Sequence, residues 1–389
     1  MKIERIETML LVWPPMERAY WMSFRPIGQV SELVIRVYTS NGPIGIGEVH
    51  SKGGGQSKLQ YPSGARNNAA AMTVVDEILA PMLIGEDPLD TERLWAKMFA
   101  RTYSKPGIDG MDIAAFLAGM AGIDQALWDI RGKVANLPIY RLLGGTKNKI
   151  PCLVTGGYYQ DGKGIPELVA ECEGYVKMGY KAMKLKAGML SVEEDIARLK
   201  AVRDAIGPDI DIVVDVNAAY DIPTAIRAGL EMEEHVGLRW YEEPIYWFNR
   251  TEGHRRVAAA LSTPVSAGSQ DKTRWEAMQM ALHGGVSLMQ FDCTQQGGPT
   301  EWLKIANFCD PLGITMAPHH DPQIHGHLMA SIPNAEILET FPNADRDPVW
   351  AELFAQRPEI RNGELELLDE PGWGIILDED VVKKRRVNL

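Results

Sequence analysis

The stretch "KAMKLKAGMLSVEEDIARLKAVRDAIGPDIDIVVDVN", residues 181–217, combines two apolar runs with an amphipathic segment between them. The runs "KAMKLK" and "DIVVDVN" predict short buried strands. Ser191 and Glu194 form a capping-box pattern, which predicts the first turn of a helix. Apolar residues then recur at helical steps of three or four: Val192, Ile196, Leu199, Val202 and Ile206. The stretch therefore predicts a strand–helix–strand unit with parallel strands.

The same rhythm continues to about residue 340, through "GLRWYEEP", "TPVSAGS", "VSLMQFD", "GITMAPHH" and "AEILET". Repeated units of this size predict a parallel sheet, and this many of them predict a closed barrel whose strand ends share one mouth. A chemically active residue closes each run, at intervals of 20 to 29 residues: Lys186, Asp215, Glu242, Ser269, Asp292, His319 and Glu339.

The first 135 residues have a different pattern. Residues 1–50 alternate apolar and polar side chains and turn at Asn41-Gly42, which predicts a hairpin. The Gly-rich segment "HSKGGGQSKLQYPSGA" lacks the spacing of a phosphate-binding motif and predicts a loop. From about residue 66 to residue 135 the pattern is helical. The chain of 389 residues therefore predicts an α/β protein of two domains.

Composition limits the function classes. The formal net charge of −12 argues against nucleic-acid binding, although a local cationic pocket would still admit an anionic small molecule. No signal peptide and no run of about 18 apolar residues is visible, so we expect no membrane partner. The cysteines are scattered, which suits a reducing cytoplasm: Cys152, Cys172, Cys293 and Cys309.

The second predicted strand carries two lysines on one face. Lys184 and Lys186 lie two residues apart, so their ammonium groups should repel each other and lower the pKa of at least one, giving a base near neutral pH. Solvated lysines on an edge strand are the alternative. Asp215 and Glu242 end the next two strands, and such converging oxygen ligands suit Mg²⁺. They could instead be ion-pair partners of the lysines.

Four of the eight histidines lie in "APHHDPQIHGHL", residues 317–328. His319 closes a strand, and Asp292 could orient it for proton transfer. His320 should point to the opposite face and pack beneath the neighbouring helix. His325 and His327 should lie on the following helix and point in different directions, a spacing that does not favour zinc.

With these residues in place, the chain resembles the enolase superfamily, in its mandelate racemase subgroup. The resemblance rests on Lys184 and Lys186, on "DVN" and "EEP" around Asp215 and Glu242, and on Asp292 in "FDCTQQGG" with His319 and Glu339. The segments "NGPIGIGEV", "IDQALWDIRGK", "LPIYRLLGG" and "PGWG" are also similar to that group. The likeness covers nearly the whole chain.

The resemblance implies a (β/α)₇β TIM-like barrel with an α+β capping domain. The cap would comprise residues 1–125, completed by a C-terminal tail of about 355–389, and the barrel would comprise residues 126–354. Relatives of this kind are commonly dimers or octamers, which implies a homo-oligomer.

The implied chemistry is Mg²⁺-assisted abstraction of the proton α to a substrate carboxylate. Lys186 would be the base on one face of the substrate and His319, with Asp292, the acid or base on the other. Lys184 would tune Lys186 and touch the carboxylate, and Glu339 would hydrogen-bond the enolate. Dehydration of an acid sugar or hydroxy acid to a 2-keto acid is the leading hypothesis, and a racemase or epimerase is the alternative.

The fifth strand end departs from the family pattern. Ser269 stands where a third metal-binding glutamate is usual, and a neutral hydroxyl is a poor Mg²⁺ ligand. Asp271, the carbonyl of Gln270 or a water could complete the site. Alternatively the metal is lost and the protein is a metal-free barrel that binds carboxylates.

The substrate is less well indicated. Thr155 and Tyr158 follow the first barrel strand, and the loop "PPMERAYWMSFRPIG" resembles one that covers the site in relatives. Arginines and aromatic residues there would suit a carboxylate such as a diacid, or would instead pack at the domain interface; Lys105 is a further candidate. The substrate candidates in this loop are Arg18, Tyr20, Trp21, Phe24 and Arg25.

Overall fold

The computed structural model describes residues 1–53, 63–103 and 112–387. The N-terminal strands are β1 Ile3–Val12, β2 Tyr20–Trp21, β3 Pro26–Ile27, β4 Gln29–Thr39 and β5 Gly45–Gly53. An antiparallel sheet has the order β1-β4-β5. The predicted hairpin at Asn41 is confirmed: it joins β4 to β5, and Asn41 adopts the positive φ of 56° that such turns require.

Helices cover this sheet on one face. They are α1 Ser63–Val74, α2 Ala80–Leu83, α3 Thr91–Phe99, α4 Ile113–Ala135 and α5 Ile139–Leu142, with a π-helical turn at Val75–Leu79. The helix α4 is long and apolar enough to cross a membrane, but 89% of its most apolar 18-residue window is buried within the protein. Its apolarity therefore reflects a core position between the sheet and the barrel.

Strands and helices alternate from residue 149 to residue 340. The strands are β6 Lys149–Gly156, β7 Tyr159–Gln160, β8 Ala182–Lys186, β9 Asp211–Asp215, β10 Trp240–Glu242, β11 Val265–Ala267, β12 Leu288–Met289, β13 Thr315–Met316 and β14 Leu338–Thr340. The helices between them are α6 Ile165–Lys177, α7 Val192–Ile206, α8 Ile222–His235, α9 Arg250–Ala260, α10 Arg274–His283, α11 Pro299–Cys309 and α12 Pro322–Met329. The capping box predicted for α7 is present.

Eight of these strands close into a barrel. From β6 through β8 to β13 each strand pairs in parallel with the next, β14 pairs with β6, and a bridge between Met316 and Ala335 links β13 to the segment before β14. With seven helices in between, the predicted (β/α)₇β barrel with an N-terminal α+β cap is confirmed.

The same inward-facing rows supply both the barrel's core and its mouth. Because side chains alternate along a strand, residues two apart share a face. On β8, Ala182 lies deep in the barrel and Lys184 and Lys186 lie above it; on β9, Val213 lies below Asp215. The deep layer is apolar: Leu153, Ala182, Val213, Trp240, Leu288, Ala317 and Ile337.

The chain ends against both parts of the molecule. The remaining elements are α13 Pro348–Glu352, β15 Phe354–Gln356, β16 Glu359–Arg361, β17 Glu364–Glu366, β18 Ile376–Leu377 and α14 Glu379–Arg385. A bridge between Leu11 and Arg386 joins the end of the chain to β1. Within the predicted tail, however, β16 and β17 form a hairpin whose second strand pairs with β6 of the barrel.

Candidate active site

The mouth of the barrel brings together two lysines and three carboxylates. Lys184 Nζ lies 2.7 Å from Glu242 Oε1 and 2.6 Å from Glu339 Oε1. Lys186 forms an ion pair with Asp215, its direct partner across β8 and β9. All five side chains are at least nine-tenths buried. The strand-end spacing thus converges on one compact polar cluster.

The predicted lowering of a lysine pKa is wrong for this arrangement. Burial alone would lower the pKa of Lys184, but the negative charges of Glu242 and Glu339 outweigh it and raise that pKa. For Lys186 the attraction of Asp215 likewise outweighs both burial and the repulsion by Lys184. Both lysines are therefore ammonium ions at neutral pH while these carboxylates remain their partners.

His319 and Asp292 form the predicted pair. His319 Nδ1 lies 2.9 Å from Asp292 Oδ2, and His319 is the more exposed of the two. Asp292 also accepts hydrogen bonds from the backbone N–H and the hydroxyl of Thr294, at 2.9 and 2.7 Å, and from Gln295 at 3.0 Å. A carboxylate fixed in this way holds the imidazole in one orientation, with Nε2 directed away from it.

His320 does not pack beneath a helix as predicted, because its backbone is left-handed (φ 62°) and turns the ring toward the cap. The ring stacks on His50 of β5, with ring centroids 4.1 Å apart. Its backbone N–H donates to Glu339 Oε2 at 2.9 Å. Among the described residues, His50, His320 and Asp321 are the group of three whose possible metal-ligand atoms lie within 4.8 Å of one another.

His325 and His327 are buried structural residues. His325 Nδ1 donates to the carbonyl of His320 at 2.7 Å, and its Nε2 accepts from the N–H of Cys293 at 3.0 Å. His327 Nε2 donates to the carbonyl of Trp373 at 3.0 Å, and burial lowers its pKa to about 4. Both rings are thereby engaged in backbone hydrogen bonds as neutral imidazoles.

Ser269 turns toward Glu243 and not toward the lysine cluster. Its hydroxyl donates to Glu243 Oε1 at 2.8 Å, and the same oxygen accepts the N–H groups of Gly268 and Ser269, both at 3.2 Å. Glu243 itself has a φ of 43°, uncommon for a residue with a side chain. The other two protein candidates for the third metal ligand both contact Arg250. Its guanidinium forms an ion pair with Asp271 and donates to the carbonyl of Gln270.

The residues present fit a hard divalent cation, although with fewer charges than a three-carboxylate site. Asp215 and Glu242 are direct partners across β9 and β10, which places two carboxylates side by side. Asn217 donates to Asp215 through its backbone at 2.8 Å and its side chain at 2.9 Å, and its own Oδ1 is buried without a partner. Two carboxylates and a nearby amide oxygen are the donors that Mg²⁺ prefers.

The N-terminal loop covers the barrel mouth. The Ser23 hydroxyl lies 2.5 Å from the carbonyl oxygen of Ala187 and 2.6 Å from that of Val216, the residues directly after Lys186 and Asp215. The strand β2 in this loop pairs with β7, which follows the first barrel strand. The loop is therefore attached to the strand ends that carry the candidate base and metal ligand.

The substrate candidates Thr155, Tyr20, Trp21 and Arg25 do not share one cavity. Thr155 donates to Glu339 Oε1 at 2.6 Å, and the ring of Tyr20 packs 4.9 Å from Tyr158; Thr155 and Tyr20 line one cavity of about 550 Å³. Trp21 points away from it into another cavity, beside α7. Arg25 is half-buried, which lowers its pKa, and it does not line the first cavity. Lys105 lies outside the described residues.

Two family models match the chain. Residues 5–144 match the mandelate racemase / muconate lactonizing enzyme N-terminal domain, and residues 167–381 match the enolase C-terminal domain-like family. The chain belongs to the enolase superfamily, in its mandelate racemase subgroup. The resemblance read from the sequence is thereby confirmed.

Known relatives extend over nearly the whole chain. Arabinonate dehydratase of Saccharolobus solfataricus is 34% identical over 90% of this chain and 88% of its own length. A mandelate racemase/muconate lactonizing enzyme from a marine actinobacterium, solved with magnesium, is 32% identical over 99% of both chains, with a TM-score of 0.84. L-talarate/galactarate dehydratase of Salmonella typhimurium LT2, solved with Mg and L-lyxarohydroxamate, is 30% identical over 100% of this chain and 93% of that chain, with a TM-score of 0.84.

Three residues of the site were not found by strand-end spacing. Glu243, which accepts a hydrogen bond from the hydroxyl of Ser269, is the second glutamate of "EEP". Asn217, which donates to Asp215, is the last residue of "DVN". Both residues therefore stand in motifs on which the family resemblance already rests. Arg346 also lines the 550 Å³ cavity, but "NADRDP" has no periodicity that would single it out.

Proposed function

We propose that this protein dehydrates an acid sugar to a 2-keto acid with the help of Mg²⁺. The observation that carries the proposal is the placement of Lys186 on the second barrel strand and the His319–Asp292 pair after the seventh and sixth. They flank the carboxylates of Asp215 and Glu242. Relatives named as dehydratases of arabinonate and of talarate/galactarate support the same class of reaction.

Asp215 and Glu242 would hold the metal, with Asn217 Oδ1 or water as a further ligand. Bound Mg²⁺ supplies positive charge that lowers the energy of a substrate carboxylate carrying extra negative charge. The deep burial of both carboxylates excludes water and strengthens every charge interaction at the mouth.

Two side chains of this protein would move protons. Lys186, as the neutral amine, takes the α-proton of the substrate onto Nζ. His319, protonated at Nε2 and oriented by Asp292, gives a proton to the departing β-hydroxyl, which leaves as water. The resulting enol gains a proton at the β-carbon and loses its hydroxyl proton, which gives the 2-keto acid. Lys184 faces the carboxylate end of the substrate, and Glu339, held by Lys184 and Thr155, hydrogen-bonds the enolate oxygen that gains charge when the α-proton leaves.

The ion pair between Lys186 and Asp215 explains how the base would be switched on. Lys186 loses part of the attraction of Asp215 when that carboxylate also binds a cation, so its pKa falls toward the range in which a neutral amine exists. Metal binding should therefore release protons. Titration in two buffers of different ionisation enthalpy measures that release without any turnover.

The test is a calorimetric Mg²⁺ titration of the native protein beside Ser269→Glu and Ser269→Gln. We expect the native protein to bind Mg²⁺, Ser269→Glu to bind it at least tenfold more tightly through a third carboxylate, and Ser269→Gln to show no gain. Binding by Ser269→Glu alone would contradict the proposal, since the native barrel would then lack its metal.

Product analysis separates the remaining alternatives. A dehydratase accumulates a 2-keto acid from an acid-sugar panel, whereas an epimerase takes up solvent deuterium without loss of water. A metal-free carboxylate-binding barrel would bind ligands with an affinity that neither a chelator nor Lys186→Ala changes.

The remaining expectations concern the cell and the assembly. A net charge of −12 and four free, buried cysteines support a cytoplasmic protein with no nucleic-acid or membrane partner. We propose a homo-oligomer, a dimer or an octamer, whose size sedimentation would measure.

A further inference from the structure

Arg346 is a buried arginine without an ion-pair partner. It lies in the segment after β14, only 6% exposed, and no carboxylate of the described residues lies within 4.0 Å of its guanidinium. Nη2 donates to the hydroxyl of Tyr158 at 2.9 Å, but Nε and Nη1 are buried without acceptors. A buried cation whose N–H donors lack acceptors destabilises the fold unless a bound anion accepts their hydrogen bonds.

The surroundings hold the guanidinium in place, and the negative charge of Asp347 favours its cationic form, but no acceptor of the described residues reaches Nε or Nη1. Its central carbon lies 4.4 Å from the ring centroid of Phe341, 4.9 Å from that of Tyr158 and 5.0 Å from that of Tyr20. Tyr20 also donates to the carbonyl of Arg346 at 3.0 Å, which ties the covering loop to this residue. Aromatic faces stabilise a cation modestly, and they leave its N–H donors unused.

Arg346 is close to the predicted reaction centre. One side chain, Tyr158, spans the gap: its ring centroid lies 5.3 Å from Lys186 Nζ and its hydroxyl binds Arg346. Both Arg346 and Thr155, which contacts Glu339, line the cavity of about 550 Å³. The two lysines of the barrel mouth do not line that cavity, so a molecule whose carboxylate sits at them would reach Arg346 by passing Thr155 and Tyr158.

We propose that Arg346 binds the terminal carboxylate of a dicarboxylic acid sugar, so that the preferred substrates are aldarates and not aldonates. This inference rests on the proposed function. A guanidinium bonds a carboxylate through two parallel N–H groups. Nη2 has a second N–H besides the one that meets Tyr158, and this N–H forms such a pair with that of Nε or of Nη1, both of which lack acceptors. A terminal hydroxymethyl group would leave them unsatisfied.

The experiment measures kcat/KM for C6 aldarates and for the aldonates of matching stereochemistry. The comparison includes the native protein, Arg346→Met and Arg346→Lys. We expect the native protein to prefer the diacid by about 10- to 100-fold, the range of a charged hydrogen bond. Arg346→Met should abolish that preference, and Arg346→Lys should restore only part of it because an ammonium lacks the fork.

Arg357→Met is the matched control, because it removes another arginine stacked on an aromatic ring, that of Trp350, away from the cavity. Binding of galactarate and galactonate to Lys186→Ala, with and without Arg346→Met, gives a readout independent of turnover. An unchanged diacid preference in Arg346→Met, or a native preference for aldonates, overturns the proposal. If the native protein turns over neither aldarates nor aldonates, the proposed dehydratase activity itself is refuted.

Discussion

The barrel mouth and the interface between the cap and the barrel both bury several carboxylates, but they balance that charge differently. At the mouth, Lys184 and Lys186 form ion pairs with Asp215, Glu242 and Glu339. At the interface, no lysine or arginine of the described chain forms an ion pair with any of the following carboxylates: Glu32, Glu48 and Asp321. Histidines lie beside them in place of fixed cations.

The consequence appears in the protonation of the two regions. Lysine charges keep the pKa of Asp215 below its ordinary value even though burial opposes this. Burial, reinforced by the charge of Asp321, raises the pKa of Glu48 to about 8. Burial and Glu48 raise that of Glu32 as well. At Glu242, however, burial outweighs the lysine charges and raises the pKa to about 7, so the mouth also contains a group that titrates near neutrality. The two regions therefore differ in their partners: ammonium groups lie beside the carboxylates of the mouth, whereas the described residues place none beside Glu32 and Glu48, and burial favours the protonated form of both.

The largest effect is expected when a fixed cation of the mouth is removed. Lys186→Ala should lower kcat by about 10³-fold or more, because it removes the proposed base and leaves Asp215 buried without its partner. Keto-acid release measures the loss, and circular dichroism checks that the fold persists. Lys200→Ala, an exposed lysine on α7, is the control. Near-native turnover in both Lys186→Ala and His319→Ala would refute the assignment of the mouth.

The residues of the mouth were predictable because the barrel turns sequence spacing into position. A residue closes a strand every 20 to 29 positions, and side chains alternate between the inward and outward faces of each strand. This pattern brings Lys186, Asp215 and Glu242 together independently of the lengths and conformations of the loops. The pairing across strands is not part of that pattern. Lys186 lies directly opposite Asp215, and this register, unknown from spacing, reverses the predicted direction of its pKa.

The interface could not be predicted in the same way. Its contacts join Glu32 and His50 of the cap to His320, some 270 or more positions further along the chain, with no shared periodicity. The left-handed backbone of His320 decides where its ring points, and a strand-alternation rule cannot foresee it. A local signal was overlooked elsewhere: Asn362-Gly363 adopts positive φ at both residues and forms the tight turn between β16 and β17.

The hydroxyl of Thr294 connects the two regions, and its removal should have an intermediate effect. Thr294 Oγ1 lies 2.7 Å from Asp292 Oδ1, at the mouth, and 2.6 Å from Asp321 Oδ2, at the interface. One hydroxyl proton serves one carboxylate at a time, so the two carboxyl groups are coupled through it. Thr294→Val keeps the shape and removes this link.

We expect Thr294→Val to lower kcat by about tenfold and to shift the pH at which turnover is half-maximal, because Asp292 loses a donor while it orients His319. A pH profile of kcat measures both. Thr294→Ser should restore the native profile, which a purely packing role for the methyl group would not allow. A valine variant with an unchanged profile would show that the regions act independently.

The smallest expected effect concerns stability at the interface. Glu48 is fully buried, and its pKa of about 8 in the folded protein compares with 4.5 when it is free. Between those values the folded state binds more protons than the unfolded state, so Glu48 makes stability fall as pH rises through this window.

Glu48→Gln cannot ionise and keeps an acceptor for Gln323. We expect its melting temperature to exceed that of the native protein by on the order of 3 °C near pH 8.5, with the gap closing toward pH 5, measured by calorimetry. A Glu48→Gln variant that is less stable than the native protein at high pH would mean that a cation, and not a proton, balances the interface.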